Sequence, residues 1–346
     1  MTAEPPPSSE NPDAMRDSSL RVRLLDEKPS ADAKPPTDTE VRRTVLVSLA
    51  VCSFYIVISS SMVFVNKALS YTYHFKTTNV LLLFQMLFTV ALLRFLRDVL
   101  HLIDFANFDL VTARQVAPVS IFYSLNAAVA LVALRELSVP SYTLIKRLAP
   151  LLTVFLEALL LHRFATRAIV ISLLVMSSGT VLAANADLSS SNFAWLLGFA
   201  SCFFQALYLT FVKRSGVDTG MNSFGILYYH SILSLPCISC IALAVGEISP
   251  ALAFENWTSP SFLVVLVASL FMGLLLNYAL FLCTELTSPT STVVSGQVKA
   301  MAQTAIGTFT FGGVDMNSRY LAGTMLNITG GFMYAFAKLR SIRERS

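Results

Sequence analysis

Apolar residues recur along this chain in runs of about 20 residues, the length a helix needs to cross the hydrocarbon core of a bilayer. Short polar segments separate the runs, which extend from Val45 to Ala337. The pattern predicts an all-α integral membrane fold with ten transmembrane helices. Their approximate bounds are 44–66, 78–100, 114–134, 139–161, 166–185, 192–212, 221–246, 260–283, 288–311 and 319–338.

Composition strengthens this membrane assignment. The chain is 55% hydrophobic and 13% charged, whereas soluble domains carry about 25% charged residues. The small net charge of +4 and the scattered basic residues give no basic and aromatic surface for nucleic acid. The pair Cys237 and Cys240 has metal-like spacing, but no second cysteine or histidine pair accompanies it, so we expect no metal site.

The first 42 residues have a different character. Segments such as Glu4-Pro5-Pro6-Pro7-Ser8-Ser9 are rich in proline and serine and lack apolar periodicity, which predicts a disordered tail. We therefore divide the chain into a tail at 1–42, a ten-helix domain at 43–340 and a short second tail at 341–346. No charged segment precedes an apolar one as in a cleaved signal peptide, so the first span is expected to remain as an anchor.

Charge placement fixes the expected orientation. With the N-terminus in the cytosol, eighteen Lys and Arg residues fall on the cytosolic side and four on the other side, as the positive-inside rule requires. Ten spans then place both termini in the cytosol. The sequon Asn256-Trp257-Thr258 lies in a lumenal loop in this arrangement, which makes Asn256 a glycosylation candidate. A second sequon, at Asn327, lies within a span.

Two segments suggest an internal repeat. Ser138-Val139-Pro140-Ser141-Tyr142-Thr143 and Thr287-Ser288-Pro289-Thr290-Ser291-Thr292 each open a span with small polar residues around a proline. Each of these spans then carries an internal lysine, at Lys146 and Lys299. Five spans per half give the halves opposite orientations, which is the 5+5 inverted repeat of many transporters, with the site at the midplane.

Cations inside apolar spans are the strongest functional signal. Lys146, Arg147 and Lys299 are costly in a membrane unless something uses their charge, and an anionic substrate is the simplest user. Snorkelling or a buried ion pair, for example with the mid-span acid Glu157, explains such residues without a ligand. His230 could titrate, although a lone histidine in a helix is more often simply hydrogen-bonded.

Several motifs resemble those of nucleotide-sugar transporters, members of the drug/metabolite transporter superfamily. Val65-Asn66-Lys67-Ala68-Leu69 is similar to their "VNKAL", and the segment from Val139 to Arg147 resembles "VPxYTxxK". Tyr228-Tyr229-His230 is similar to an aromatic "YYN" element, and Gly296-Gln297-Val298-Lys299 resembles "GxIK". The branch that carries UDP-glucuronate, UDP-N-acetylgalactosamine and UDP-N-acetylglucosamine is the most similar.

The resemblance implies an antiporter in a Golgi membrane, or alternatively in an endoplasmic reticulum membrane. Such a protein exchanges a cytosolic nucleotide sugar for the lumenal nucleoside monophosphate, without a cofactor. Together with the cation argument it gives candidate substrate-binding residues, which are Lys299, Lys146, Gly296, Tyr229, Tyr228, Asn277, Asn126 and Arg147, and gate residues, which are Asn66 and Lys67. Beside the bilayer, the partners are these two nucleotides and a second copy of the chain, held through the glycine-rich faces of spans five and ten.

Alternatives remain within and outside transport. His230 and Ser231 replace the paired asparagines of GDP-mannose transporters, which argues against a GDP-sugar. A plastid triose-phosphate carrier needs a transit peptide poor in acids, whereas the tail here contains Glu4, Glu10 and Asp13 among others. A membrane enzyme needs clustered carboxylates, and the lumenal acids are scattered singly. A transport-inactive chaperone is the alternative of another class.

Overall fold

The computed structural model describes residues 38–137, 142, 145–183, 192–311 and 318–344, and these contain helices and loops but no strand. The main helices are α1 (Asp38–Lys67), α2 (Thr78–Asp98), α3 (Leu110–Glu136), α4 (Ala149–Leu160), α5 (Arg167–Ala183), α6 (Asn192–Thr219), α7 (Ser223–Val245), α8 (Pro260–Leu286), α9 (Pro289–Phe311) and α10 (Ser318–Glu344). A π-helical turn, Ala68–Thr72, extends α1, and short helical turns lie at Ile248–Leu252 and Glu255–Thr258. Helix α1 begins at Asp38, inside the expected tail, whose residues 1–37 lie outside the described part.

Six helices in the described residues are long and apolar enough to cross a membrane: α1, α2, α3, α6, α7 and α8. Helices α4 and α5 are shorter and also apolar. Large apolar side chains such as Phe64, Val264, Phe332 and Phe336 are about two-thirds or more exposed on the outer surface, as lipid contact requires. The predicted all-α multi-pass membrane class is therefore confirmed.

Polar residues determine where the helices begin and end. The carboxylate of Asp109 accepts hydrogen bonds from the backbone N–H groups of Val111 and Thr112 and caps α3. The side chain of Asn222 caps α7 in the same way through Gly225. Helix α7 ends at Gly246, whose φ of 75° places it in the left-handed conformation that glycine tolerates best.

Two further caps come from carboxylates that are distant in sequence and join separate parts of the bundle. Glu247 accepts hydrogen bonds from the backbone N–H groups of Asn79 (2.7 Å) and Val80 (3.3 Å), at the beginning of α2. Glu157 of α4 accepts one from the backbone N–H of Thr290, at the beginning of α9. A nearby cation was the expected partner of Glu157, whereas its hydrogen bond here is to a helix N-terminus, which also favours negative charge.

The bundle has two distinct ends. At the Glu247 end, Phe75 of the loop before α2 packs against the rings of Phe254 and Trp257 from the loop before α8. At the opposite end, which we call the Glu285 end, Ser223 at the beginning of α7 donates a hydrogen bond to the Glu285 carboxylate near the end of α8. These contacts show which helix termini share an end.

Helix neighbours occur in matching pairs when α1–α5 are compared with α6–α10. The contact between α3 and α6 corresponds to that between α8 and α1, and both pairs pack together. In the same way, the contact between α3 and α7 corresponds to that between α8 and α2, and the contact between α4 and α6 to that between α9 and α1. Helices α2 and α7, α4 and α9, and α5 and α10 pack on one another. The main contacts between the halves are therefore preserved when each helix is exchanged for the one five places along.

Helices α5 and α10 approach so closely that only glycine fits between them. A Cβ on Gly179 would lie 2.5 Å from the backbone nitrogen of Asn327, and one on Gly330 would lie 2.5 Å from that of Met176. The side chain of Asn327 also donates a hydrogen bond to Thr180 at 2.5 Å. Gly179 and Gly330 therefore pack two helices of the same chain against each other. The homodimer was predicted from these glycine-rich faces, and their packing within one chain removes the reason for that prediction.

Gly330→Ala is expected to destabilise the fold, although alanine is a better helix former than glycine. The new methyl group would meet the backbone of α5, and overpacking of this kind costs about 1–3 kcal/mol. Gly331→Ala is the matched control, because a Cβ there meets nothing within 4 Å and alanine stabilises a helix by about 1 kcal/mol. Thermal unfolding of the two variants in detergent checks this, and equal melting temperatures would contradict the close packing.

Candidate functional site

A cavity of about 260 Å³ lies between the two halves of the bundle. It extends from the middle of the bundle to Asn66 and Thr78 at the Glu247 end. Its described lining residues are Tyr55, Ser59, Met62, Asn66, Thr78, Leu81, Leu82, Gln85, Tyr123, Tyr208, Gly273, Leu276, Asn277 and Leu280. The wall is apolar with a few convergent hydroxyl and amide groups, which is the usual character of a small-molecule site.

Lys299 of α9 contacts one of the residues that line this cavity. Its ammonium donates a hydrogen bond to the Ser59 hydroxyl at 2.5 Å, and Ser59 is one of the lining residues. Gly296 lies on the same helix, and a Cβ added there would be 3.6 Å from the hydroxyl of Tyr55, another lining residue. The predicted pair Gly296 and Lys299 therefore lies beside the cavity.

Lys146 occupies a second polar site, one helical turn from the cavity wall. Its ammonium donates to Asn126 Oδ1 at 3.0 Å and to Gln205 Oε1 at 2.9 Å, and it lies 5.6 Å from the centre of the Tyr142 ring. The Ser201 hydroxyl donates to the same oxygen of Asn126 at 3.1 Å. Two predicted residues, Lys146 and Asn126, are thus in direct contact.

An aromatic corner forms one side of the cavity. Tyr123 of α3 and Tyr208 of α6 line it, and behind them lies His230, with ring centroids 4.9 and 5.8 Å away. The Nδ1 atom of His230 is 3.1 Å from the Ser120 hydroxyl and 3.3 Å from that of Ser234. The hydroxyl of Tyr208 and the Nε2 atom of His230 are buried without a hydrogen-bond partner. Two polar groups that lack a hydrogen bond therefore lie at this side of the cavity.

The other predicted residues are placed as follows. Asn277 lines the cavity, and its amide donates to the carbonyl of Gly273 in its own helix at 3.1 Å. Asn66 lines the cavity at the Glu247 end, and the exposed Lys67 next to it lies 5.7 Å from the Tyr71 ring. Arg147 is half-buried in the turn after Lys146.

Tyr228 and Tyr229 do not line this cavity and are fully buried near the Glu285 end. The hydroxyl of Tyr228 accepts a hydrogen bond from Arg94 at 2.9 Å. The hydroxyl of Tyr229 donates to the carbonyl of Asn107 at 2.6 Å and accepts from the backbone N–H of Asp109 at 2.8 Å. The ring of Tyr228 also packs against Phe105 and that of Tyr229 against Phe108, so both rings hold the loop between α2 and α3.

Several residues that line the cavity or accept a hydrogen bond from Lys146 were not predicted from the sequence. Gln205 is a lone amide inside an apolar run, which is a detectable signal. Gln85 is another: it is 3% exposed, lines the cavity and donates to Ser269 Oγ at 3.1 Å. Tyr123 and Tyr208 gave no signal, because aromatic residues are common throughout these helices. No cluster of metal-ligating side chains occurs among the described residues.

Comparison with known proteins identifies the family. Residues 46–335 match the model of the Triose-phosphate Transporter family. The chain belongs to this family.

Individual relatives and a solved structure agree with that assignment. UDP-galactose/UDP-glucose transporter 7 of Arabidopsis thaliana is 36% identical over 308 residues, 88% of this chain and 94% of the relative. UDP-N-acetylglucosamine transporter UGNT1 of the same plant is 28% identical over 82% of this chain and 86% of its own length. One solved crystal structure shares the fold, with a TM-score of 0.60 at 15% identity over 85% of this chain and 98% of the other. The predicted resemblance to nucleotide-sugar transporters is confirmed.

Tyr229→Phe is expected to lower stability without changing the apparent affinity for substrate, because the lost hydroxyl serves two backbone groups of a loop. Leaving buried groups unpaired costs about 1–3 kcal/mol. Tyr123→Phe is the matched control, since it removes a hydroxyl from a residue that lines the cavity and should affect substrate affinity more than stability. Melting temperature and concentration-dependent uptake check both. A weaker apparent affinity in Tyr229→Phe at unchanged melting temperature would indicate that Tyr229 binds the substrate.

Proposed function

We propose that this protein is an antiporter that moves a cytosolic UDP-sugar into the lumen of the Golgi or endoplasmic reticulum in exchange for the nucleoside monophosphate. The observation that carries the proposal is the ammonium of Lys299, which donates a hydrogen bond to Ser59 in the wall of a cavity between the halves. It occurs in a chain whose relatives are named as transporters of UDP-sugars. A nucleotide diphosphate or monophosphate supplies the anion that such a cation binds.

The charge balance of the site supports an anionic substrate. Lys299 donates to a serine, and Lys146 donates to two amide oxygens. These partners accept hydrogen bonds from the ammonium groups but are themselves neutral, so they do not neutralise the charge. No carboxylate is among the described lining residues of the cavity. A phosphate that enters therefore meets uncompensated positive charge in a setting of low dielectric, where electrostatic attraction is strong.

Other residues of the cavity wall suit the uncharged parts of the substrate, which are the uracil ring, the ribose and the sugar. Tyr123 and Tyr208 offer aromatic faces for a uracil ring, and Asn277 and Gln85 offer amides for ribose or sugar hydroxyls. The unpartnered hydroxyl of Tyr208 is one of the groups that a polar ligand would satisfy. The phosphates would then lie toward Lys299, with Lys146 one turn beyond the tyrosines.

The proposed cycle uses ten spans in a 5+5 inverted repeat with both termini in the cytosol. The paired helix contacts between α1–α5 and α6–α10 support the repeat. The distribution of Lys and Arg supports placing the Glu285 end in the cytosol and the Glu247 end in the lumen. Rocking of the halves would expose the cavity to each side in turn, and exchange couples the entry of one nucleotide to the exit of the other.

Lys299→Ala is expected to reduce exchange in proteoliposomes loaded with UMP and supplied with labelled UDP-sugars. The loss should be about tenfold or more, since a hydrogen bond to a charged group is worth about 1.5–3 kcal/mol. Lys76→Ala is the matched control, because this exposed lysine lies in a loop outside the cavity. Unchanged exchange in Lys299→Ala would remove the phosphate role, and uptake of GDP-sugars with GMP would contradict the UDP assignment.

Asn256→Gln is expected to abolish glycosylation of the protein made in cells, if the Glu247 end faces the lumen. Asn256 is exposed in a short turn, whereas Asn327 is 3% exposed and bonded to Thr180. Asn327→Gln therefore serves as the control and should leave the glycan in place. The change in gel mobility on glycosidase treatment measures this. A glycan that persists in Asn256→Gln would contradict the assignment of this loop as the acceptor.

A further inference from the structure

Two cysteines face each other where α1 packs on α8. The Sγ atom of Cys52, on α1, lies 3.5 Å from the Sγ atom of Cys283, on α8. The two residues are 231 positions apart in the chain, and their helices belong to different halves of the bundle. Cys283 is fully buried, whereas Cys52 is partly exposed. Neither is among the described lining residues of the cavity.

The two sulfur atoms are close enough to become bonded without a change of fold. A disulfide holds its sulfur atoms about 2.05 Å apart, so these two need to approach by only about 1.5 Å. Small rotations of the two side chains can supply that approach while the helices keep their packing. The other thiols have different surroundings: Cys202 donates to the carbonyl of Ile145 at 3.5 Å, and Cys237 and Cys240 both lie on α7.

The unequal exposure of the two thiols suits a pair that reacts in sequence. Redox-active cysteines often combine an accessible thiol, which meets the oxidant first, with a neighbouring thiol that completes the bond. Cys52 has the accessible position and Cys283 the protected one. Cys283 is two residues before Glu285, at the end of the bundle that the proposed orientation places in the cytosol. Thiols there are normally kept reduced, so a bond between them would form only when oxidants accumulate.

We propose that Cys52 and Cys283 form a reversible disulfide under oxidising conditions, and that this bond arrests transport by holding α1 to α8. Formation of the bond does not depend on what the protein transports, whereas the arrest rests on the proposed function. The pair is a modification site separate from the substrate site, because neither thiol has a part in binding the nucleotide.

The reaction balances with hydrogen peroxide, a small uncharged oxidant. Peroxide oxidises the Cys52 thiol to a sulfenic acid and releases one water. The sulfur of Cys283 then attacks the sulfur of Cys52, the S–O bond breaks, and the hydroxyl leaves with the Cys283 proton as a second water. Two electrons have passed from the two thiols to the peroxide. A dithiol reductant reverses the reaction by attacking the more exposed sulfur, that of Cys52, and releasing Cys283.

The bond would lie about one helical turn from the cavity wall. Tyr55 follows Cys52 by three residues on α1, and Leu280 precedes Cys283 by three residues on α8; Tyr55 and Leu280 line the cavity. All four side chains belong to one apolar cluster. A covalent link there fixes the spacing of two helices from different halves. Because alternating access requires the halves to move relative to each other, the link should stop exchange while it leaves the cavity residues in place.

Oxidation of the full chain in membranes tests bond formation without a transport assay. Membranes are treated with hydrogen peroxide, and mass spectrometry of non-reduced peptides detects the pair joined through Cys52 and Cys283. The link should appear in the wild type and disappear with dithiothreitol. Cys240→Ser is the matched control, because it removes an exposed thiol of α7 and should leave the link in place. Oxidation of Cys52 without a link to Cys283 would overturn the disulfide.

Exchange in proteoliposomes tests the arrest. Uptake of labelled UDP-sugars by vesicles loaded with UMP should fall in proportion to the share of protein that carries the link, and dithiothreitol should restore it. Cys52→Ser should keep its uptake after peroxide treatment, and Cys283→Ala repeats the test if that variant does not fold. Full uptake by the linked protein would overturn the arrest. If the link forms but the reduced protein exchanges no nucleotide sugar, the proposed function is wrong and the disulfide site stands.

Discussion

An ammonium group placed between apolar helices must find hydrogen-bond acceptors, because water does not supply them there. Lys146 of the first half finds Gln205 on α6, and Lys299 of the second half finds Ser59 on α1. Each cation is thus held by the first helix of the opposite half. The requirement to satisfy two buried lysines joins the halves along the seam where the cavity lies, which connects the fold to the position of the site.

The kind of acceptor also matters. A carboxylate would satisfy each ammonium and cancel its charge, leaving nothing for a ligand. The hydrogen-bond partners of Lys146 and Lys299 are neutral amides and a hydroxyl, which do not cancel the positive charge. Glu157, the acid closest in sequence to Lys146 within the span, is directed to the N-terminus of α9. The helix dipole there supplies the positive potential that the carboxylate needs, and the lysines stay unneutralised.

The all-α membrane class could be predicted from the sequence, and Lys146 and Lys299 could be recognised as cations inside apolar segments, because hydrophobic run length and the cost of buried charge are properties of single segments. The residues of the cavity wall could not be predicted in the same way. Tyr228 and Tyr229, predicted to bind substrate, lie outside the cavity in this conformation, and Tyr123 and Tyr208 line it. Which face of an apolar helix turns inward depends on packing against its neighbours, and helices that are apolar on all sides carry no moment to reveal it. The lone amide Gln205 was the signal that could have been used.

Glycine patterns are a second case in which the sequence predicts that a contact exists but not which helices make it. A stripe of glycines reports that two helices approach closely, but not whether both belong to one chain. The contact between Gly179 and Asn327 answers that question for α5 and α10.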